Sequence, residues 1–473
     1  MQLQHYRENN TAETGFRSRY FGDRQFYKKM LLIAVPIMVQ NGITNFVSML
    51  DNIMIGRIGT EQMSGASIVN QLIFVYNLCI FGAVSGAGIF TAQYFGLGDH
   101  EGVRMTFRFK LILSFILTAA ASLLFIFYGD PLISLYLQGG GEASQAAATL
   151  GYGRTYLRIM LIGLPVFMIS NAYTSTLREC GETILPMNAG IIAVFVNLIF
   201  NYLMIYGKFG FPKLGIAGAA IATVISRVVE LLVVVVHTHT HVKKLRIFSG
   251  VYRTLKVPAD SAKRIIVKGA PLLINETLWA AGMAMLTQCY SVRGLNVVAA
   301  LNISSTISNV FNVIMIAMGS AVAIIIGQLL GAGQIEEAVS TDRKLIMFSV
   351  LSCTGTGILM MIAAPYFPNI YNTSNDVKHL AVWLIILTAA AMPHNSFLNS
   401  AYFTLRSGGK TIITFLFDSV FIWVFSVPAA FILTRFTYLN ILAVYAFVLA
   451  LDLVKCLIGY ILLKKRVWIN TLV

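Results

Sequence analysis

The sequence predicts an all-α membrane protein, with twelve transmembrane helices in two six-helix lobes related by a pseudo-twofold axis. Three observations lead to this fold class: the composition, the number of long apolar runs and an internal duplication. Of 473 residues, 57% are hydrophobic and only 12% are charged, about half the roughly 25% charge of a soluble domain. A soluble chain could not bury so much apolar surface, so a cytosolic enzyme, a secreted disulfide protein and a disordered chain are excluded.

Twelve runs are long enough to cross a bilayer, which takes about 20 mostly apolar residues. In the first half they cover about 30–55, 65–95, 106–128, 152–177, 184–207 and 214–238. In the second half they cover about 265–290, 297–330, 345–367, 379–405, 411–434 and 438–463.

The basic residues are distributed unevenly between the two membrane sides that twelve spans define. Of 35 Lys and Arg residues, 25 lie on the side shared by both termini and 8 on the opposite side. The positive-inside rule therefore predicts cytoplasmic termini in an inner (plasma) membrane. The predicted domains are a tail at 1–29, an N-lobe at 30–240, a cytoplasmic linker at 241–264, a C-lobe at 265–463 and a tail at 464–473. The net charge of +15 is explained by this topology, so the lipid bilayer and not nucleic acid is the expected partner.

The chain contains an internal repeat. A shift of 235 residues places Pro36 on Pro271 and Gln93 on Gln328, and a shift of 228 places Thr176-Leu177-Arg178 on Thr404-Leu405-Arg406. Because six spans is an even number, both halves insert with the same orientation, as in parallel-repeat transporters. A substrate cavity between the lobes and alternating access follow from this arrangement; a channel or a structural membrane protein is the alternative.

Several motifs recur in both halves and resemble one family. They read AVPIMVQNGITNFVSMLDNIMIGRIG in the first span, TAQYFGLGDHEGVR and IIIGQLLGAGQIEEA after the second and eighth, STLRECGET and FTLRSGGKT after the fourth and tenth, and GIAGAAIATVISR in the sixth. From about residue 26 to 468 the chain resembles the MATE (multidrug and toxic compound extrusion) family, whose larger group also contains lipid and oligosaccharide flippases. The resemblance implies two lobes in a V shape and export of organic cations in exchange for Na+ or H+, with an ion-binding carboxylate in the first span.

Asp51 is the first candidate for coupling, because a charge inside a bilayer is costly and needs a reason. It lies in the LDNIMIG stretch of the first span and matches the acidic position of the family. Such a carboxylate can exchange protons near neutral pH or bind Na+. The alternative is an interfacial acid that caps a helix or pairs with Arg57.

Two asparagines one turn apart in the fifth span are the next candidates. Asn197 matches the Asn of an N-x-x-x-D pattern in one MATE branch, whereas Asn201 replaces its Asp. A relay of two carboxylates is therefore not supported, and the asparagines are expected either to supply carbonyl oxygens to a cation or to join helices by hydrogen bonds. The weaker neighbours in the predicted site are Asn171, Thr223 and Gln40.

The second half carries a separate set of candidates for the substrate cavity. Glu276 lies in the seventh span, where the norfloxacin-exporter branch also has a Glu, and the resemblance implies a cation or substrate site there. The alternative is a structural acid bonded to Asn302 or Asn309. Asp418 begins the eleventh span and could line the lower cavity or remain interfacial.

Two further groups have proposed mechanical roles. Arg227 with Glu230, and Asp452 with Lys455, are i,i+3 pairs that a shift of 225 superimposes; they are expected to be structural ion pairs or a gate. Pro36 and Pro271 lie inside spans, where proline frees a backbone carbonyl and permits bending, so they are hinge candidates.

The function predicted from the sequence is a monomeric secondary antiporter that exports small lipophilic cations and needs no cofactor beyond the coupling ion. No nucleotide-binding, metal-binding or nucleophile motif is apparent, so an enzyme is not expected. The alternative is a flippase for lipids or lipid-linked oligosaccharides. That class tends to line its cavity with cations, whereas Arg227 and Lys455, the basic residues inside spans, each have an acid three residues away.

Overall fold

The computed structural model describes residues 16–137, 143–241 and 245–473. Residues 1–15 of the predicted tail and 242–244 of the predicted linker lie outside the described residues. Within the described ranges the regular structure is helical, and no strand is found. The predicted all-α fold class is therefore confirmed.

The first half contains six long helices after a short one at Phe16–Tyr20. They are α1 (Arg24–Gly56), α2 (Thr60–Leu97), α3 (His100–Leu135), α4 (Ala143–Glu179), α5 (Ile184–Tyr206) and α6 (Ile216–Thr240). A 3₁₀ turn at Arg246–Phe248 follows in the predicted linker.

The second half repeats the set with α7 (Ala259–Ser291), α8 (Leu295–Gly331), α9 (Ile335–Ala363), α10 (Asn375–Ser407), α11 (Thr411–Phe436) and α12 (Ile441–Lys464). The α11 segment is irregular, because π-helical turns at Leu416–Val420 and Ile422–Ser426 separate its α-helical ends. Such turns interrupt the regular backbone ladder and are often found at functional positions.

Eleven of the described helices are long and apolar enough to cross a membrane. The remaining long helix, α7, has 33 residues, about 50 Å at 1.5 Å per residue, but its first three turns carry Asp260, Lys263, Arg264 and Lys268. Many helices extend beyond their apolar runs. For example, α3 begins at His100 because the Asp99 side chain accepts a hydrogen bond from the Gly102 backbone and caps the helix.

The same pairs of helices pack in each half. In the first half α2 contacts α3 and α4, α3 contacts α4, and α4 contacts α6; in the second half α8 contacts α9 and α10, α9 contacts α10, and α10 contacts α12. Glycines allow the closest approaches: a Cβ at Gly65 of α2 would lie 2.8 Å from the Gly153 nitrogen of α4. The internal repeat is therefore a repeat of packing as well as of sequence.

The chain forms two compact units, 1–38 with 278–473, and 39–277. The core of the first contains Met318, Val322 and Leu405, together with Ile37 of α1. The core of the second contains Val69, Ile80 and Leu164. The boundaries between the units lie inside α1 and α7, so each of these helices contributes residues to both units.

Candidate functional site

Four polar side chains meet between α1, α5 and α6, within the unit 39–277. Asp51 lies five residues before the end of α1, Asn197 and Asn201 lie one turn apart on α5, and Thr223 lies on α6. Residues four apart share one face of a helix, and α5 packs along α6. This packing brings together four of the six residues that the sequence predicted for the coupling site.

Asn201 holds the carboxylate directly. Its amide nitrogen donates to Oδ1 of Asp51 at 2.6 Å and to Oδ1 of Asn197 at 3.0 Å. Asn201 is 1% exposed, and Asp51 is half-buried. Because a hydrogen bond to a charged group contributes about 1.5–3 kcal/mol, Asn201 fixes the position of the carboxylate.

The Asn197 amide has two useful orientations. In one, its nitrogen lies 3.4 Å from the Thr223 hydroxyl and its oxygen accepts from Asn201. When the amide is turned, its nitrogen donates to both carboxylate oxygens of Asp51, at 2.9 and 3.1 Å. An ionised, empty carboxylate favours the nitrogen-facing orientation, whereas a bound proton or cation favours the oxygen-facing one.

Tyr156 of α4 adds a hydroxyl to this group. It donates to Oδ1 of Asn70 on α2 at 3.3 Å and interacts with Thr223 and with the charge of Asp51. Tyr156 is 4% exposed. Tyr156 and Asn70 were not among the predicted site residues, although an asparagine inside the apolar run 65–95 was a signal that could have identified Asn70.

The atoms of this site that could bind a cation are oxygens. The carboxylate of Asp51, the amide oxygens of Asn197 and Asn201 and the hydroxyl of Thr223 are available, and Oδ1 of Asn201 is buried without a hydrogen-bond partner among the described residues. Oxygen ligands suit hard cations rather than zinc or copper. No cluster of three His, Cys, Asp or Glu side chains that could hold a metal ion occurs among the described residues.

The two remaining residues of the predicted coupling site lie elsewhere. Gln40 accepts a hydrogen bond from Arg178 at the end of α4, and it is eleven residues before Asp51, about 16 Å along the helix. Asn171 lies in α4, where its backbone carbonyl accepts a hydrogen bond from Thr174. Neither is hydrogen-bonded to Asp51 in the described part of the chain.

The two predicted ion pairs differ in the structure. Arg227 pairs with Glu230 on the same helix at 2.8 Å, as the i,i+3 spacing indicates. In contrast, Lys455 of α12 pairs with Asp418 of α11 at 2.8 Å, while Asp452 acts on Lys455 only through a longer-range charge interaction. Asp418 lies in the first π-helical turn of α11.

The other predicted residues occupy several places. Glu276 is half-buried in α7 and has an interaction partner. Asn302 and Asn309 are exposed on α8. Pro36 and Pro271 lie inside α1 and α7, and their role as hinges stays a prediction.

Two buried polar contacts near the ends of the predicted spans were not predicted from the sequence. The Nζ of Lys110 on α3 forms a close ion pair with Glu179 of α4 and donates to the Thr176 hydroxyl at 3.0 Å. In the second half, Thr404 donates to the buried Asp342 at 2.5 Å. Lys110 and Asp342 are 0% and 3% exposed, and neither was among the predicted site residues.

Comparison with known proteins identifies similar chains. A sequence model of the MatE family matches residues 36–203 and 271–432. The chain is 26% identical over 426 residues to "Probable multidrug resistance protein NorM" of Thermotoga maritima, covering 88% of each chain. It is 26% identical over 453 residues to "Probable multidrug resistance protein YoeA" of Bacillus subtilis, covering 93% of this chain and 95% of that one. Among solved structures, a multidrug resistance MATE family transporter in an outward-facing conformation superimposes with a TM-score of 0.81 at 19% identity, covering 96% of this chain and 98% of that one.

Proposed function

The chain belongs to the MatE family, and from this premise we propose that it is a secondary antiporter that exports small organic cations in exchange for Na+ or H+. Membership makes it a multi-pass membrane transporter rather than an enzyme, so the resemblance found in the sequence is confirmed. The proposal includes the nature of the substrate, the coupling ion, transport by a single chain and the cytoplasmic position of the termini.

One observation carries the proposal: a carboxylate inside a membrane helix is held by neutral amide side chains, and the charge of Arg227 acts on it only from a longer distance. Asp51 is positioned by Asn201 at 2.6 Å, and the Asn197 amide faces both carboxylate oxygens. A single negative charge among neutral amides and a hydroxyl attracts one monovalent cation. An ion pair with a fixed Lys or Arg would have filled the site permanently.

The Asn197 amide gives this site a means of responding to the ion. When Asp51 is ionised and empty, the amide nitrogen faces it; when Na+ or a proton neutralises Asp51, the amide oxygen becomes the better partner. The orientation in which the amide oxygen faces Asp51 brings the amide nitrogen toward Thr223 on α6. Ion binding on α1 is thereby linked to the contact between α5 and α6.

The conformational part of the cycle is assigned to α1 and α7. The boundary between the two compact units falls within α1 and again within α7. It lies two residues after Pro36 in α1 and six residues after Pro271 in α7. Proline inside a helix removes one backbone hydrogen bond and permits bending. We assign both positions as hinges for alternating access.

The membrane potential supplies the driving force for exchange, about 2.3 kcal/mol per charge per 100 mV. An ion that enters and binds at Asp51 competes with a cationic substrate for the same negative charge. Release of the substrate then follows from ion binding, and no cofactor beyond the ion is needed.

The ion pairs favour export of cations over flipping of lipid-linked pyrophosphates. A flippase of that kind needs cationic side chains that are free to bind phosphate. Arg227 is neutralised by Glu230, and Lys455 by Asp418. The two basic residues that the sequence placed inside spans therefore have acidic partners.

The proposal is tested by dye efflux from proteoliposomes under separately imposed Na+ and pH gradients. Wild type is expected to export ethidium under at least one gradient, and Asp51→Asn to lose gradient-driven efflux while remaining folded. The matched control is Asp260→Asn, the same chemical change at an exposed position in the first turn of α7, which is expected to retain efflux. Unchanged efflux in Asp51→Asn would refute Asp51 as the coupling site, and transport of a lipid-linked sugar in place of ethidium would refute export of cations.

A further inference from the structure

A cavity of about 270 Å³ lies at the side of the first half, where the end of α3 meets α4. Its wall includes the apolar side chains of Phe125, Ile126 and Phe127 and the charged side chains of Arg154 and Arg158. A single water takes up about 30 Å³, so the space is much larger than one water or one small ion needs. The proposed transport mechanism uses none of the residues that line this cavity.

The charges at this cavity are unbalanced. Arg154 makes a two-point contact with Asp130, at 2.9 Å from Nε and 2.6 Å from Nη2. Arg158, one turn further along α4, is exposed. It interacts electrostatically with Asp130, but no described residue accepts a hydrogen bond from it. The group of one carboxylate and two guanidinium groups therefore has one positive charge in excess.

The position along the helices corresponds to one edge of the hydrocarbon layer. Residues 111–129 of α3 and 159–177 of α4 contain no charged side chain, and each stretch is about as long as the hydrocarbon core is thick. The Lys110–Glu179 ion pair lies just beyond one end of these uncharged stretches, and the Asp130–Arg154 ion pair lies beyond the other end. Lipid phosphates lie just outside the hydrocarbon, so Arg158 is at their level.

The surroundings of the cavity are lipid-facing. Ile126, Phe127 and Ile162 are 62%, 71% and 68% exposed, and such apolar residues on a membrane-spanning helix contact acyl chains. A water-soluble anion would have to reach Arg158 beside this apolar surface. A phospholipid matches both features, because its phosphate carries negative charge and its chains cover the apolar wall.

We propose that this cavity is a binding site for one anionic phospholipid, with its phosphate against Arg158 and its acyl chains along Ile126 and Phe127. An anionic headgroup is favoured over a zwitterionic one because it cancels the excess positive charge, whereas an ammonium group would meet the guanidinium groups. Anionic lipids are known to be selected by basic side chains at the membrane surface. The site is independent of the proposed transport activity.

The test is native mass spectrometry of the full-length purified protein after exposure to equal amounts of phosphatidylglycerol and phosphatidylcholine. Wild type is expected to retain phosphatidylglycerol over phosphatidylcholine by about fivefold, the preference that one interfacial arginine supplies. Arg158→Gln is expected to lose this preference and Arg158→Lys to keep part of it. Arg57→Gln is the control, because Arg57 is an exposed arginine just after the end of α1 that does not line the cavity.

A second measurement separates a lipid from a free anion. Phosphatidylglycerol is expected to raise the unfolding temperature of wild type in detergent but not that of Arg158→Gln, and inorganic phosphate or glycerol phosphate is expected to have no effect at equal concentration. Equal stabilisation by phosphate would overturn the lipid assignment. Equal retention of both lipids by wild type, or an unchanged preference in a folded Arg158→Gln protein, would overturn the site itself. Neither readout requires transport, so its failure is distinct from failure of the antiport proposal.

Discussion

The Nζ of Lys455 lies 2.8 Å from Oδ1 of Asp418 on the neighbouring helix, and not against Asp452, which is one turn away on α12 itself. The Lys455 side chain is 8% exposed and that of Asp418 is 19% exposed, and the ammonium also lies 5.2 Å from the ring centroid of Phe417. The pair therefore joins α11 to α12 inside the apolar part of the second half.

Breaking this pair is expected to destabilise the protein. Lys455→Met removes the Lys455 charge from the Asp418 carboxylate in the interior, at a cost of about 3–5 kcal/mol. Replacing both partners, Asp418→Asn with Lys455→Met, is expected to recover most of this loss. The measurement is the free energy of unfolding in mixed micelles, analysed as a double-mutant cycle.

Asp452→Asn is the matched control for that cycle, because it removes a carboxylate from the same helix without breaking the ion pair. Its effect is expected to stay below about 1 kcal/mol. A larger loss of unfolding free energy from Asp452→Asn than from Asp418→Asn would show that Lys455 pairs mainly with Asp452 of its own helix.

The contact between α2 and α4 predicts opposite effects for two glycine substitutions. A Cβ at Gly65 would lie 2.8 Å from the Gly153 nitrogen and 2.9 Å from the Thr149 carbonyl oxygen, both backbone atoms that cannot move aside. Gly65→Ala should therefore cost about 1–3 kcal/mol. A Cβ at Gly151 would meet no atom of the described residues within 4 Å, so Gly151→Ala should gain about 0.5–1 kcal/mol from helix propensity. Thermal unfolding of both variants checks the sign, and equal effects would contradict the close approach.

The linker segment after α6 is held against α3 by two arginines of that helix. Arg108 donates to the Val251 carbonyl at 2.8 Å, and Arg104 donates to the Ile247 carbonyl at 3.2 Å. Arg108→Ala is expected to release the segment and to speed tryptic cleavage after Arg246 or Arg253 by about tenfold, because a charge-assisted hydrogen bond contributes about 1.5–3 kcal/mol. Limited proteolysis in detergent, followed by mass spectrometry, measures this.

Arg293→Ala provides the comparison for the linker experiment. Arg293 makes contacts of the same kind, with the carbonyls of Leu433 and Thr437, but in the other unit. Arg293→Ala should leave linker cleavage unchanged. If both variants expose the linker equally, the effect is general unfolding and not release of the segment.

The fold class was predictable from the sequence because it depends on properties that do not require knowledge of packing. Apolar run length fixes the number of spans, and constant offsets such as Pro36 to Pro271 reveal the repeat. Helix ends were less predictable, because caps such as Asp99 extend helices beyond the apolar runs.

The partners of individual side chains were less predictable, because they depend on how each helix is rotated. Asn197 and Asn201 were predicted to lie together because they share a helix face, and Asp51 was predicted to join them from family resemblance. The same spacing argument failed for Lys455, because Lys455 pairs with Asp418, in the π-helical turn at Leu416–Val420 of the neighbouring helix, and not with the acid on its own helix. Gln40 shares a helix with Asp51 but lies about three turns away, against Arg178.

The asparagines give the sharpest test of the proposed coupling site. Asn201→Ala removes the 2.6 Å hydrogen bond to Asp51 and a buried amide oxygen that has no hydrogen-bond partner among the described residues, so the half-saturating concentration of Na+ should rise by about tenfold. Asn171→Ala removes an asparagine from α4 that has no hydrogen bond to Asp51 among the described residues, and should change it by less than about twofold. Ethidium efflux from proteoliposomes, measured over a range of external Na+ and of pH, reports both values. Equal shifts in the two variants would mean that general damage to the helix bundle, and not the ligands of Asp51, controls ion dependence.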